Sequence, residues 1–312
     1  MIGSAITGWA SALPPDVVTN AELEARLDTT DEWITTRTGI RERHVGTSTT
    51  ALAVACGRDA VGRAGLSPAD LDAIIVATCT PDEQMPATAA YVQAALGATG
   101  AAFDVNVACS GFVQALIVAF GLLELGHRRI LVIGAETMSR IVDPNDRNTA
   151  VLFADGAGAV VVEATAGPSA LLAHATGNDP SGLDLIASPL GGPLRMDGRE
   201  VFRRAVRLTV EMAESLLADA GLAAEDVALA VPHQANLRII DAAAERLAIP
   251  RDHWASVLEH TGNTSAASVP LALVDAADAG RIDQGDAVLL LGFGAGMSWA
   301  GAAVRWGTEQ SP

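Results

Sequence analysis

The chain has 312 residues, half of them hydrophobic, and a formal net charge of −17. A chain of this length and apolar content is globular, and its acidic balance argues against non-specific binding to nucleic acid, which needs surplus surface cations. All 20 of its cations are arginine, which excludes Schiff-base aldolases, pyridoxal enzymes and Walker-type phosphate loops, since each requires a lysine.

In chain order, short β-rich runs alternate with helical stretches. This alternation is typical of an α/β protein with largely buried sheets. The predicted strands are residues 72–78, 102–107, 130–133, 159–162, 227–231, 287–291 and 302–304. A helix is predicted to begin at Cys109 and to end at Gly126.

The two halves of the chain resemble each other. Residues 64–72 read AGLSPADLD and residues 220–228 read AGLAAEDVA, and each follows an amphipathic helix and precedes a short strand. The sequences LVIG at 131–134 and LLLG at 289–292 repeat at nearly the same offset. Either sequence similarity alone is as well explained by chance in an Ala-rich chain. Two similarities in the same order predict a duplicated α/β unit, with halves at residues 1–165 and 166–312 that pack as one body.

The cysteines and the hydropathy of the chain indicate in which compartment the protein works. The three cysteines, Cys56, Cys79 and Cys109, form no C-x-x-C pair, which fits a reducing environment and predicts no zinc cluster. No basic segment precedes the first apolar residues, and no apolar run reaches about 18 residues. We therefore expect a cytoplasmic protein that neither spans a membrane nor holds a metal.

Among the candidate residues, Cys109 is the one whose local sequence most clearly indicates a catalytic role. It is predicted to lie where a strand ends and a helix begins, and a thiolate at a helix start is stabilised by unpaired backbone N–H groups and by the helix dipole. This position favours a nucleophile. A buried structural cysteine is the more common fate of an intracellular thiol, and we assign it to Cys56 and Cys79.

Two further polar residues lie in small-residue settings of the second half. His233 follows strand 227–231 and a stiffening proline, so it projects from a strand end, where the sites of α/β proteins gather. Asn263 follows Gly262 and precedes a run of small residues, a sequence that lets the backbone approach a ligand closely. Taken alone, Asn263 is a turn residue. With Cys109 and His233 it forms a set able to make and break a thioester and to stabilise an enolate.

Motifs along essentially the whole chain resemble β-ketoacyl-acyl carrier protein synthase III, the initiating condensing enzyme of type II fatty-acid synthesis, within the thiolase superfamily. The resemblance implies a five-layer α-β-α-β-α fold built from two similar halves, usually as a homodimer. The matching motifs are DTTDEWITTRTGIRER at 28–43, the segment around Cys109, DPNDR at 143–147, FADGAG at 153–158, VPHQANLRII at 231–240, GNTSAASVP at 262–270 and GFGAGMSWAGAAVRW at 292–306.

The resemblance also implies a role for each residue. Cys109 attacks an acyl-CoA and holds the acyl group, and malonyl-acyl carrier protein then loses CO₂ while His233 Nε2 and Asn263 Nδ2 donate hydrogen bonds to the thioester oxygen. The enolate attacks the acyl group, and the backbone N–H groups of Cys109 and Ala295 form a second oxyanion hole. The product is 3-oxoacyl-acyl carrier protein. Acyl-CoA is a substrate, and no cofactor is expected.

The CoA site implied by the resemblance places the adenine between Trp33 and Arg147, with Thr29 and Arg37 nearby. An indole face and a guanidinium plane can sandwich a base, so the residue types suit this role independently. Without the motif, Trp33 would be interpreted as a core residue and Arg147 as part of a surface ion pair.

Docking of the acidic carrier protein onto an acidic enzyme requires a local cationic patch. Our candidates are Arg203 and Arg207, which share a helix face at i, i+4, together with Arg238 after the HQAN motif. Arg199 and Arg204 lie close by in sequence, and their part in the patch is left open.

Two positions depart from the family pattern. The glycine-rich loop, often G-G-G, here reads Gly294-Ala295-Gly296, which is tolerable if Ala295 has a negative φ. The residue before Pro86, commonly Phe in members that use short straight starters, is Met85. Since a thioether repacks easily, we expect Met85 to reach across the dimer and line an acyl pocket that accepts branched or longer starters as well as acetyl.

Three alternatives stay open. The order Cys, His, Asn also occurs in papain-like hydrolases, although the protease signature around the cysteine is missing. A closer alternative is a thiolase-fold acyltransferase or a starter-unit ketosynthase of secondary metabolism. Transfer without decarboxylation needs a base more than it needs the amide of Asn263. A non-enzymatic scaffold homologue is disfavoured because all three polar residues are present.

Overall fold

The computed structural model describes residues 1–307, so the end of the predicted second half, residues 308–312, lies outside the described residues. The strands are β1 (Ser4–Ala12), β2 (Asp16–Thr19), β3 (Glu42–Val45), β4 (Ala73–Ala77), β5 (Ala101–Val105), β6 (Arg129–Thr137), β7 (Asp155–Ala164), β8 (Leu171–Asn178), β9 (Ile186–Ala187), β10 (Arg195–Met196), β11 (Val227–Pro232), β12 (Ala287–Gly294) and β13 (Ser298–Arg305). The α-helices are α1 (Asn20–Glu24), α2 (Asp31–Thr38), α3 (Thr49–Arg63), α4 (Thr88–Leu96), α5 (Gly111–Glu124), α6 (Arg147–Ala150), α7 (Gly198–Ala220), α8 (Leu237–Leu247), α9 (Leu258–Thr261) and α10 (Ser268–Asp278).

Two large sheets carry the fold. One has the strand order β1-β7-β6-β4-β5 and the other has the order β11-β12-β13-β8. Every strand expected from the sequence lies in one of them. Strands β1 and β8 were not expected, because their mixtures of small and polar residues do not show a clear strand pattern; both pair antiparallel with a single neighbour, β7 and β13 respectively.

The two sheets follow the same pairing pattern. In the first, β4 runs parallel to β6, and β6 runs antiparallel to β7. In the second, β11 runs parallel to β12, and β12 runs antiparallel to β13. In the first sheet, β5 lies beside β4. At the corresponding position of the second sheet, a single parallel bridge between Ala230 and Trp254 lies beside β11. The first sheet uses strands up to Ala164 and the second begins at Leu171, which supports the proposed division near residue 165.

Helices cover both sheets and separate them, so the expected five-layer fold is confirmed. Helices α5 and α10 form the central layer in one apolar cluster with the inner faces of both sheets. Helices α3 and α4 pack on the outer face of the first sheet, and α7 and α8 pack on the outer face of the second. Helix α5 is buried along most of its length because apolar residues lie on nearly all its sides. Within residues 1–307, no helix combines the length and apolarity that crossing a bilayer requires.

Glycines let the start of α10 lie directly on the first sheet. A Cβ atom added at Gly134 in β6 would lie 2.4 Å from the carbonyl oxygen of Ala266, and one added at Gly158 in β7 would lie 2.8 Å from Pro270. Both distances are shorter than real Cβ contacts. The absence of a side chain at these positions therefore sets how closely the Asn263 segment approaches the first half.

We expect Gly134→Ala to lower the free energy of unfolding by about 1–3 kcal/mol, because the added methyl group meets backbone that has no room to move. Gly62→Ala is the matched control. Gly62 lies in α3 with open space around its Cα, and alanine in a helix stabilises by roughly 0.5–1 kcal/mol relative to glycine. Urea unfolding of both variants measures the difference. Equal stability of Gly134→Ala and wild type would contradict the close approach.

Candidate active site

One cavity of about 1470 Å³ brings the three predicted residues together. Cys109 from the first half and His233 and Asn263 from the second all line it. The volume exceeds the roughly 300–1,000 Å³ usual for small-molecule sites, so the cavity has room for a long, chain-like ligand. The site lies at the seam between the two sheets.

Cys109 lies in a turn between a strand and a helix, close to where the sequence places it. A 3₁₀ turn at Ala108–Ser110 joins the loop after β5 to α5. Ala108 has a φ of 45°, a left-handed conformation that sharpens the turn. The backbone N–H of Cys109 belongs to a first helical turn, whose N–H groups have no partner within the helix. The Cys109 thiol donates a hydrogen bond to Ser265 Oγ at 3.4 Å.

The surroundings of this thiol oppose its ionisation. Burial raises the pKa of Cys109 to about 12, the hydrogen bond with Ser265 lowers it, and the nearby charge of Glu136 raises it further. Desolvation therefore acts against the thiolate stabilisation that a helix start provides. A neighbouring group that takes the thiol proton would favour nucleophilic attack.

Two hydrogen bonds orient His233. It follows β11, and its backbone N–H donates to the carbonyl of Leu291 at 2.7 Å. Its Nδ1 lies 2.6 Å from Ser268 Oγ, and that oxygen also accepts the backbone N–H of Gln234 at 3.3 Å. A Ser268 hydroxyl that donates to Nδ1 leaves the ring proton on Nε2, the tautomer that the predicted role of His233 requires. The edge of the ring meets Phe293 with 5.0 Å between centroids.

The charge state of His233 agrees with this tautomer. Burial lowers its pKa to about 3, so the ring is neutral at physiological pH. A neutral imidazole with its proton on Nε2 donates a hydrogen bond to an oxygen that gains negative charge. It does not act as a charged acid.

Asn263 is held between the two halves by backbone bonds. Its N–H donates to the Leu152 carbonyl at 2.8 Å, and its own carbonyl accepts from Ala154 at 2.9 Å. Gly262 before it has a φ of 65°, a conformation that favours glycine. The side-chain oxygen accepts from the Ser265 N–H at 3.0 Å. The amide NH₂ is therefore the part of the side chain that is available to a ligand.

The glycine-rich loop lies against Cys109. A Cβ atom at Gly294 would lie 2.7 Å from the backbone nitrogen of Cys109, so only glycine fits there. The positive φ of the loop, 121°, falls on Gly296 and not on Ala295. The condition set for Ala295 from the sequence is met, and its N–H lies in the first turn of a short 3₁₀ helix that follows Gly294.

The predicted CoA residues are split between the cavity and its edge. Trp33 and Arg37 line the cavity, whereas Thr29 and Arg147 lie outside its lining. The Arg147 guanidinium stacks on Trp33 with 4.5 Å between Cζ and the ring centroid, and its ion pair with Asp28 measures 3.5 Å. This contact leaves no room for a base between the two side chains, so a sandwiched adenine requires Arg147 to move.

The candidate docking arginines differ in how free their charges are. Arg207 and Arg238 are exposed, and Arg238 and Arg199 line the cavity. Arg203 is exposed but pairs with Glu200 at 2.6 Å. Arg204, with 18% of its side chain exposed, bonds both Glu200 and Asp179. Its charge is thus neutralised locally.

Met85 lies on the surface of the chain. It is 78% exposed and is not among the residues that line the cavity, although its neighbour Gln84 is. Its place in the acyl pocket of a second copy stays a prediction.

Sequence reasoning missed Glu136, Ser265 and Ser268. Glu136 ends a buried strand and is fully buried, although a charged residue at a strand end normally indicates the surface. The two serines lie in the GNTSAAS motif and read as turn residues. Ser265 forms hydrogen bonds with Cys109 and Glu136, and Ser268 forms one with His233.

Across residues 1–307, no three His, Cys, Asp or Glu side chains are arranged to hold a metal ion.

Comparison with known proteins gives matches over nearly the whole chain. Residues 103–180 match the family described as 3-oxoacyl-[acyl-carrier-protein] synthase III, and residues 217–306 match its C-terminal family. The β-ketoacyl-[acyl-carrier-protein] synthase III of Roseiflexus castenholzii is 48% identical, with 97% of this chain and 98% of that protein covered.

Solved structures give the same result. The 3-oxoacyl-[acyl-carrier-protein] synthase III of Aquifex aeolicus superposes with a TM-score of 0.95 at 44% identity, covering 97% of this chain and 100% of that one. The priming β-ketosynthase from the R1128 polyketide biosynthetic pathway gives a TM-score of 0.93 at 39% identity, with 98% and 96% covered.

The lowered pKa of His233 predicts a pH dependence of stability. The unfolded chain takes up this proton near pH 6.5 and the folded protein only near pH 3. Between these values the unfolded state binds more protons, so stability falls as the pH drops. From pH 7 to pH 5, wild type should lose about 2 kcal/mol more than His233→Gln in urea unfolding. Equal losses would show that the ring is not buried as a neutral group.

Proposed function

Since the chain belongs to the 3-oxoacyl-[acyl-carrier-protein] synthase III family, we propose how its own residues carry out the family's condensation. The protein is a condensing acyltransferase of the type that initiates fatty-acid synthesis: an acyl-CoA starter and malonyl-acyl carrier protein give 3-oxoacyl-acyl carrier protein, CoA and CO₂. The observation that carries the assignment of residues is the meeting of Cys109, His233 and Asn263 in one cavity.

The first half-reaction is acyl transfer to Cys109. The sulfur attacks the thioester carbonyl, the C–S bond to CoA breaks, and CoA leaves as the thiol. The backbone N–H groups of Cys109 and Ala295 donate to the oxyanion of the tetrahedral intermediate; the close contact between Gly294, which precedes Ala295, and Cys109 supports this pairing. Donors held in place before the reaction stabilise such charge most effectively.

The second half-reaction is decarboxylation followed by condensation. The malonyl thioester loses CO₂, and negative charge develops on its carbonyl oxygen as the enolate forms. Nε2–H of His233 and Nδ2–H of Asn263 donate to this oxygen. The neutral state of His233 and the Asn263 Oδ1 bond to Ser265 support the two donor roles. The enolate carbon then attacks the acyl group, and Cys109 leaves as the thiolate.

We assign the CoA end of the starter to the cavity mouth at Trp33 and Arg37, with Thr29 and Arg147 beside it. Arg147 would swing off the indole to admit the adenine between them. Acyl-CoA is then a substrate and not a cofactor. We further propose that the enzyme works in the cytoplasm, where CoA thioesters are used and thiols stay reduced.

A starter-unit ketosynthase of secondary metabolism is the second candidate. It is favoured by the similarity to the priming β-ketosynthase of the R1128 pathway. The two functions share the same condensation chemistry and differ in the carrier protein that is used. Parallel assays with a fatty-acid carrier protein and a polyketide carrier protein distinguish them through the ratio of kcat/KM values.

Met85 is our candidate for starter selection in a homodimer. Its exposed thioether would be buried by a second copy and would line that copy's acyl pocket. Sedimentation shows whether the protein dimerises. Turnover of acetyl-, isobutyryl- and hexanoyl-CoA tests the pocket, and a strict preference for acetyl would contradict it.

Two substitutions separate the half-reactions. Cys109→Ala should abolish the acyl-enzyme seen by intact-protein mass spectrometry. Asn263→Asp should leave acylation intact and slow decarboxylation by about 100-fold, the usual cost of one oxyanion donor. The readouts are the 3-oxoacyl product mass and CO₂ release from malonyl-carrier protein.

Normal condensation by Asn263→Asp would overturn its role. Free fatty acid in place of the 3-oxoacyl product would indicate hydrolysis, and an acyl ester would indicate simple transfer.

Charge reversal tests the docking patch. Arg207→Glu should raise KM for malonyl-carrier protein by about tenfold at low salt and leave acylation by acyl-CoA nearly unchanged, because Arg207 lies outside the cavity lining. Arg238→Glu should weaken both substrates, because Arg238 lines the cavity and CoA is itself an anion. Arg58→Glu on α3 makes the same charge change on an exposed helix face away from the cavity. If it raises KM equally, the effect is one of net charge and the patch is wrong.

A further inference from the structure

A buried acid lies behind the nucleophile. Glu136, at the end of β6, is fully buried, and within residues 1–307 it forms no ion pair with an arginine or histidine. Its carboxylate is surrounded by hydrogen-bond donors instead. They are the hydroxyls of Thr78 and Thr80 at 3.1 and 2.5 Å, the backbone N–H groups of Cys79 and Thr80, the Cys79 thiol at 3.2 Å and the Ser265 hydroxyl at 3.0 Å.

Ser265 connects this acid to the reacting sulfur. The Cys109 thiol donates to Ser265 Oγ at 3.4 Å, and the Ser265 hydroxyl donates to Glu136 Oε1 at 3.0 Å. Ser265 has a φ of 50°, a conformation that costs energy for a residue with a side chain and is found at functional sites. Its backbone is held there by the N–H bond to Asn263.

We infer that Ser265 and Glu136 form a relay that takes the proton of Cys109 during acylation. The S–H bond of Cys109 breaks as the proton passes to Ser265 Oγ, and the Ser265 proton passes to Glu136 Oε1, which becomes a neutral carboxylic acid. The thiolate attacks the acyl-CoA. As the C–S bond to CoA breaks, the same path returns the proton to the departing sulfur, so the half-reaction releases no net proton.

The electrostatics of the site favour this coupling. Burial raises the pKa of both Cys109 and Glu136, and the negative charge of Glu136 opposes a second charge on the thiolate. Proton transfer between them removes that opposition, because only one negative charge exists at any time. The other titratable groups nearby are Cys79, whose thiol donates to Glu136, and His233, whose pKa is lowered by burial. Among the described residues, the hydrogen bond of the Cys109 thiol goes to Ser265 and not to either of these groups.

The inference rests on the proposed function and concerns only its first half-reaction. Pre-steady-state acylation by acyl-CoA should slow about 100-fold in both Ser265→Ala and Glu136→Gln, the usual contribution of general base catalysis. Its pH profile should shift to higher pH, and its solvent isotope effect should fall. Decarboxylation of malonyl-carrier protein, which uses His233 and Asn263, should stay near the wild-type rate and so reports an intact site. Alanine is compatible with the backbone at 265, since Ala108 adopts a similar φ.

Thr209→Val is the matched control. It removes a buried hydroxyl in α7, outside the cavity lining, and should acylate at the wild-type rate. The double variant Ser265→Ala/Glu136→Gln should be no slower than either single variant, because both interrupt one path. Wild-type acylation in either single variant would overturn the relay, as would an equal loss of decarboxylation. A wild-type protein that forms no acyl-enzyme at all would overturn the proposed function itself.

Discussion

The site depends on how closely the end of β12 and the start of α10 approach the Cys109 turn and the first sheet. Glycines make this possible: a Cβ atom at Gly292 would lie 3.0 Å from Ser110, and one at Gly294 would lie 2.7 Å from Cys109. Gly134 in the same way admits the start of α10 onto the first sheet. Cys109 and Ser265 are carried by the turns before the central helices, and His233 and Glu136 lie at strand ends beside them.

The duplicated unit explains why the two turns look alike and why they do different work. Ala108 and Ser265 are the equivalent residues that precede the central helices, and their φ angles are 45° and 50°. In the first half this conformation is followed by the nucleophile. In the second half it presents a hydroxyl to that nucleophile. The same backbone conformation thus positions the sulfur in the first half of the chain and its hydrogen-bond partner in the second half.

Much of the fold was predictable from local pattern, because apolar strands and the repeated AGL segments are independent of distant contacts. Cys109 and His233 were recognisable from their positions at element ends, and Asn263 only through its association with them. Properties that depend on three-dimensional neighbours were not predictable. The raised pKa of Cys109 comes from burial that no local pattern shows. Glu136 gave no sign of being buried, since its donors come from segments far apart in sequence.

If CoA binds as proposed, the stack of Arg147 on Trp33 bears on how fast CoA departs. A base that inserts there replaces a cation–π contact of about 0.5–2 kcal/mol with stacking of about 1–3 kcal/mol. The net gain is small, because one favourable contact is exchanged for another. In the proposed complex, the adenine end would therefore add little to the affinity for CoA. Such a weak hold suits a two-step enzyme, whose first product must clear the channel before the second substrate enters through it.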